Sequence, residues 1–276
     1  MTEPNHSMKR FRLVLLARDT DSTWMIYNHI HSSIPFETVI VERPVSRWTL
    51  LLNRAKRKGW WNALGQVLFI GIVMPLISRR SRKRQEDLLA QFQMKCQRPA
   101  EKEITGVPSV NSDACRRLLQ ELQPDLVIVN GTRIISDKTL QCIPAPFVNI
   151  HDGITPAYRG VHGGYWALAN GQPELFGTTI HYVDKGVDTG GIIQQIFIQP
   201  DPSDNFTTYP ILQHAVAIPE LKEIVEQFAR GEKPATRPPM CEKRPIHFHP
   251  TIWDWFRHRK RALGFLLMFE SLAYLA

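Results

Sequence analysis

Four short aliphatic runs constrain the fold of this chain more than any other feature: LVLLA (13–17), TVIV (38–41), LVIVN (126–130) and FVNI (147–150). They are too short for packed helices, and each ends among turn formers or polar residues. Runs that are apolar at nearly every position read as strands buried on both faces, as in parallel sheets covered by helices. The stretches between them carry helical signals. Residues 23–30 have a helical pattern after the first run, and the second run then completes a β-α-β opening. Residues 111–124 read as a helix capped by Asn111 or Ser112, with Leu118, Leu119 and Leu122 on one face and a stop at Pro124. HGGYWALANGQ (162–172) reads as a helix closed by Gly171, and GTTIHYVD (177–184) and GGIIQQIFIQP (190–200) as strands. The fold class is therefore α/β: a Rossmann-like, mostly parallel sheet with flanking helices. With 276 residues, 43% of them hydrophobic, the chain can bury one large core. Residues 1–200 are expected to hold that core, with a helical insertion at 48–92, and residues 201–276 a helical C-terminal extension.

The insertion breaks the pattern. RAKRKGWWNALGQVLFIGIVMPLISRRSRKR (54–84) is apolar from Ala63 to Ile77 apart from Gln66, Gly65 and Gly71. That run is short of the ~20 residues an untilted spanning helix needs. Both flanks are basic, with Trp60 and Trp61 at one edge, which fits a segment lying on an anionic membrane surface. A core or oligomer-interface helix, as in a homodimer, fits equally well. Pro75 is expected to kink or end the helix. Residues 253–276 form a second basic, aromatic and apolar segment that could join the same surface.

The net charge is +8 and the sequence pI about 9.5, which points to an anionic partner without choosing one. Cys96, Cys115, Cys142 and Cys241 show neither a CxxC pair nor metal-ligand spacing and read as free thiols. The first residues lack a secretory pattern, so the expected location is cytoplasmic, peripheral on the inner membrane face. The loop after the first strand, ARDTDS (17–22), lacks the GxGxxG of a dinucleotide site.

Chemistry gathers in FVNIHDGITPAYRGVHGG (147–164). Side chains at i and i+2 of a strand share a face, so Asn149 and His151 point together at a strand's C-terminal end. An amide beside an imidazole can stabilise an oxyanion in acyl transfer, and the imidazole can move a proton near neutral pH. YVDKGVDTGGII (182–193) adds Asp184 and Asp188 in a glycine-rich loop. Asp152 reads as a turn former and His162 as a helix cap. No further His/Asp pairs recur at metal-binding spacing, so no metal is expected.

NIHDGITPAYRG (149–160) resembles the N-x-H-x-S-L-L-P-x-Y-R-G signature of the N10-formyltetrahydrofolate-dependent formyltransferases, and GTTIHYVDKGVDTGGIIQQ (177–195) resembles their second signature, around an essential aspartate. LQPDLVIVNGTRIIS (122–136) is similar to their central strand and folate-side loop. The resemblance covers about residues 104–200. It implies an enzyme that transfers a formyl group from N10-formyltetrahydrofolate to a primary amine. Asn149, His151 and Asp188 are then the catalytic trio, with His151 and the Asn149 amide on the tetrahedral oxyanion and Asp188 assisting proton transfer through a water. The folate would lie along Asn130, Gly131, Thr132, Arg133, Ile134 and Ile135 and along Lys185, Gly186 and Val187. Tyr158, Arg159 and His162 would face the amine. Two departures bear on that amine side: Gly153-Ile154-Thr155 stands where the family has Ser-Leu-Leu, and RGVHGG where many members have RGxxP.

The helical, Pro-rich residues 201–276 differ from the β-rich C-terminal domain of the methionyl-tRNA members, so nucleic acid is not the expected partner. The expected acceptor is a small-molecule amine, an amino sugar on a nucleoside diphosphate. The alternatives are a formyltetrahydrofolate hydrolase on the same scaffold and a non-catalytic membrane-surface protein.

Overall fold

The four aliphatic runs form the middle of a seven-stranded sheet in the computed structural model, which describes residues 10–258. The strands are β1 (Leu13–Arg18), β2 (Phe36–Glu42), β3 (Ile104–Val107), β4 (Leu126–Asn130), β5 (Phe147–His151), β6 (Gly177–Tyr182) and β7 (Ile192–Phe197). Their order is β3-β2-β1-β4-β5-β6-β7. The first five are parallel; β6 runs antiparallel to β5, and β7 to β6. Chain order reverses between β1 and β4, so the loops beyond β1, β4 and β5 open on the edge where α/β sheets place ligands.

The helices are α1 (Asp21–His31), α2 (Arg47–Lys58), α3 (Trp60–Leu68), α4 (Met74–Arg80), α5 (Arg82–Gln91), α6 (Asp113–Leu122), α7 (Asp137–Leu140), α8 (Gly163–Ala169) and α9 (Tyr209–Ala229). The two-residue period of the strands sorts the core into two layers. Leu13, Leu15, Leu126, Ile128, Val148 and Ile150 face α1 and α9. Val14, Leu16, Val127, Val129 and Phe147 face Cys115 and Leu119 of α6. Ser112 caps α6 as expected, its Oγ accepting from Cys115 N at 3.2 Å.

Two expectations change. Residues 209–229 belong to the core rather than to an extension of it: α9 buries Ala215, Ile218, Leu221 and Val225 in the same layer as α1. The sheet needs that cover, because β4 and β5 would otherwise expose Ile128, Val148 and Ile150 on one side. Pro75 does not end the helix either. A π-helical turn, Phe69–Val73, precedes it and joins α3 to α4. The wider turn relieves the clash between the proline ring and the carbonyl four residues earlier.

The insertion is anchored to the core. Phe69, Val73 and Leu88 pack on Tyr165 and Leu168 of α8 and on Tyr209 and Leu212 of α9. Arg84 donates from Nε and a terminal nitrogen to the two oxygens of buried Asp204, at 2.9 and 3.1 Å. This two-pronged ion pair ties α5 to the start of α9.

Candidate active site

β5 presents Asn149 and His151 on one face, and its antiparallel partner β6 sets His181 directly opposite Asn149. Asp188 comes from the β6–β7 loop. Its carboxylate lies between two imidazoles, with Oδ2 3.6 Å from His151 Nδ1 and Oδ1 3.7 Å from His181 Nε2. Gly160 N–H donates to Oδ2 at 2.8 Å. Asp188 itself has φ +48°, in the left-handed region that aspartate enters more readily than most residues.

Backbone carbonyls fix the hydrogens. His151 Nε2 lies 2.7 Å from Tyr158 O and must donate to it, which turns Nδ1 toward Asp188. His181 Nδ1 donates to Tyr182 O at 2.7 Å, so in the neutral ring Nε2 accepts from Asn149 Nδ2 at 3.1 Å. One amide hydrogen of Asn149 and the Nδ1 edge of His151 are then not held at hydrogen-bond distance. Burial alone would raise the Asp188 carboxyl. The nearby His151, the contact from His181 and the Gly160 N–H outweigh it and hold the group well below the usual carboxylate range.

The turn after β5 is built around close approach. A Cβ on Gly153 would stand 2.3 Å from Tyr158 O and 2.8 Å from His151 Nε2, so a side chain there would displace the carbonyl that orients His151. Gly160, at φ +99°, meets residues 244–249, which lie alongside the turn as a strap. Its ideal Cβ would be 2.2 Å from His247 O, and His247 N donates to Arg159 O at 2.9 Å.

Tyr158 and Arg159 therefore act behind the site rather than facing an amine. Tyr158 is fully buried, with its hydroxyl donating to Gln172, and its carbonyl is what reaches His151. The Arg159 guanidinium is buried and donates to Arg244 O at 2.8 Å and to Val187 O at 3.4 Å, tying strap, turn and loop together.

Among the expected folate contacts, Asn130 is only 2% exposed and fully engaged. Its Nδ2 donates to Ser22 and Thr23, and its Oδ1 lies 3.2 Å from His214 Nε2. The Arg133 side chain donates to buried Glu42 at 2.6 Å and to Arg43 O. The Thr132 hydroxyl is turned onto Arg133 O, and Ile135 is in the core. Exposed Gly131 and Ile134, 59% exposed, remain available, as do exposed Lys185 and half-buried Val187. Gly186 N–H is taken by Asp184 Oδ1 at 2.9 Å, which shapes the loop.

Two further histidine pairs were not legible from spacing. Asp152, read as a turn former, lies 3.1 Å from buried His214 of α9. His162 stands at the start of α8 at φ +57° but makes no side-chain cap; its Nε2 lies 3.0 Å from His249 Nε2. Burial and the neighbouring Arg54 push His249 down to about 4, and burial beside His249 pushes His162 well down too. The folded pair is neutral, whereas the unfolded histidines take up protons near pH ~6.5. Its contribution is thus present above that pH and is lost as pH falls toward about 4. In melts at neutral pH and near pH ~5, His249→Gln is expected to lose less Tm on acidification than the parent. An equal loss would show that the pair does not titrate with unfolding.

One groove of about 730 Å³ runs past Leu168, Phe197 and Tyr209 and contains none of the trio. Among the described residues, no group of three or more His, Cys, Asp and Glu is arranged to hold a metal ion.

The sheet and its flanking helices form an α/β scaffold. This chain belongs to the formyl transferase family, whose pattern it matches over residues 61–222. That match begins inside the segment read above as an insertion and ends within α9. Methionyl-tRNA formyltransferase of Desulforamulus reducens is 28% identical over 158 residues, 53% of this chain and 48% of that protein. GDP-perosamine N-formyltransferase of Brucella melitensis is 29% identical over 125 residues, 45% of this chain and 48% of that protein. The matched stretch thus spans about half the length of these curated relatives. The fold is also that of glycinamide ribonucleotide transformylase 1 of Symbiobacterium toebii, with a TM-score of 0.52, 21% identity and coverage of 80% of this chain and 88% of that one.

Proposed function

We propose that this chain transfers a formyl group from N10-formyltetrahydrofolate to the primary amine of a small molecule, an amino sugar carried on a nucleoside diphosphate. The observation that carries the reading is the Asp188 carboxylate between His151 and His181, with Asn149 alongside. This donor set suits an acyl carbon: an amide hydrogen and an imidazole edge for the oxygen, and a carboxylate for the proton. The exposed Ile134 and Gly131 and the Lys185–Val187 loop suit a flat, partly apolar ring system, and these residues would hold the folate.

N10-formyltetrahydrofolate, when bound, supplies an activated formyl carbon. A new bond forms from the amine nitrogen to that carbon, the bond to N10 breaks, and the proton lost by the amine ends on N10. Asn149 donates its remaining amide hydrogen, and His151, protonated at both ring nitrogens in this step, its Nδ1 hydrogen, to the carbonyl oxygen as negative charge develops there. Asp188 receives the amine proton and returns it, held in place by Gly160 N–H. The sugar acceptor is supported by the similarity to GDP-perosamine N-formyltransferase.

The test is a mass-spectrometric screen of the purified chain with N10-formyltetrahydrofolate and three acceptor classes: amino-sugar nucleotides, glycinamide ribonucleotide and methionyl-tRNA. An amino-sugar nucleotide that gains CO is the expected product. Formylation of either other class instead overturns the acceptor assignment. Folate consumed with no formylated product overturns transfer itself in favour of hydrolysis.

A further inference from the structure

Residues 43–85 contain eleven Lys and Arg and no Asp or Glu, so the whole +8 net charge resides in this segment and the rest of the chain is slightly acidic. Within it lies the helical stretch Trp60–Arg80, the one helix among the described residues long and apolar enough to cross a membrane. Ala63, Gln66, Phe69 and Val73 are buried on its inner side, and Gln66 donates to His249 O at 2.6 Å. A helix with one face on a core ordinarily turns a polar face to water. This one turns out Trp60 (66% exposed), Trp61 (67%), Leu64, Val67, Ile72 and Leu76 (53%). From Trp61 onward they recur every three to five residues along the outer side of the helical stretch. Trp253 stacks on Trp61 at 5.4 Å with planes 9° apart and widens the strip. Contiguous apolar surface of this kind marks a binding face.

We propose that this face docks the protein on a bilayer rich in anionic lipid, with the helix lying in the plane of the interface. Charge complementarity selects the occupant. Lys58 at one end and Arg79, Arg80, Arg82 and Lys83 at the other flank the strip, where lipid phosphates would stand, and the tryptophans lie at headgroup depth. Spanning is disfavoured by the same geometry. Crossing would strip Phe69 and Val73 from α8 and α9 and drag one basic cluster through hydrocarbon. The basic, apolar residues 259–276 were read as part of this surface; they lie outside the described residues.

The test is vesicle flotation of the full chain. Co-flotation is expected with equimolar phosphatidylcholine and phosphatidylglycerol, with little on phosphatidylcholine alone and release in high salt. Changing Arg79, Arg80 and Lys83 together to Gln should weaken partitioning about 100-fold. Leu64→Ser with Leu76→Ser, both exposed sites, should abolish it at unchanged Tm. Equal binding to both vesicle types overturns the lipid-charge argument. Resistance to alkaline extraction overturns the in-plane geometry in favour of spanning. A dimer in solution that loses its dimeric state in the Leu64/Leu76 variant, without flotation of the parent, overturns the lipid in favour of a second copy.

Discussion

Asp188→Asn is expected to lower kcat/KM for formyl transfer by about 10²–10⁴-fold, the usual worth of a positioned acid–base group. The substitution is nearly isosteric, so the Gly160 N–H keeps an acceptor and the loop keeps its path. What disappears is the negative charge between His151 and His181 and, in the proposed reaction, the group that receives the amine proton. The loss should fall on kcat more than on KM for the folate, because the carboxylate is asked to act in the transition state. It should also persist across the pH range near neutrality, since the native carboxyl is held well below the usual range and is ionised throughout. The paired stability runs the same way: it is present above the ordinary carboxylate pKa of ~4 and lost as pH falls through the lower folded value. A purified, folded Asp188→Asn enzyme within tenfold of the parent would remove Asp188 from the reaction.

Gly160→Val is the second large effect. The residue sits at φ +99°, and any Cβ would collide with His247 O at 2.2 Å and the Ile246 side chain at 2.8 Å. Backbone strain of about 1–3 kcal/mol is expected, which in a chain of this size lowers Tm by roughly 3–10 °C. The larger effect is on rate. Gly160 N–H aligns Asp188 Oδ2, and misplacing a reacting group by about 1 Å costs on the order of 100-fold. Activity should therefore fall well below what the lost stability explains at a temperature where the variant is fully folded. Unchanged activity in the folded variant would show that Asp188 finds its position without this turn.

The sheet was legible because its central strands are buried on both faces and read as continuous aliphatic runs; the pair Asn149 and His151 followed from the two-residue period alone. β3, ITGV (104–107), carried no such signal, being four residues at an edge with Gly106 exposed. His181 was hidden for a different reason. Its place opposite Asn149 depends on the register between antiparallel strands, which spacing along the chain does not encode. The roles of Tyr158 and Asn130 were misread because a signature names residues and not the side they act from. One works through its carbonyl and the other within a buried network. The outer helix was legible in composition, whereas its Pro75 was accommodated by a π turn that composition does not announce.

The strap at residues 244–249 has no helix or sheet of its own beyond the bridge from His247 to Gly160. At one end it is bonded to the turn that holds Asp188, and at the other His249 O receives Gln66 from the apolar helix. Such a segment stores little shape and passes displacement along its length. The outer helix and the amide that holds the Asp188 carboxylate are therefore joined through one short stretch of chain, a few residues from end to end.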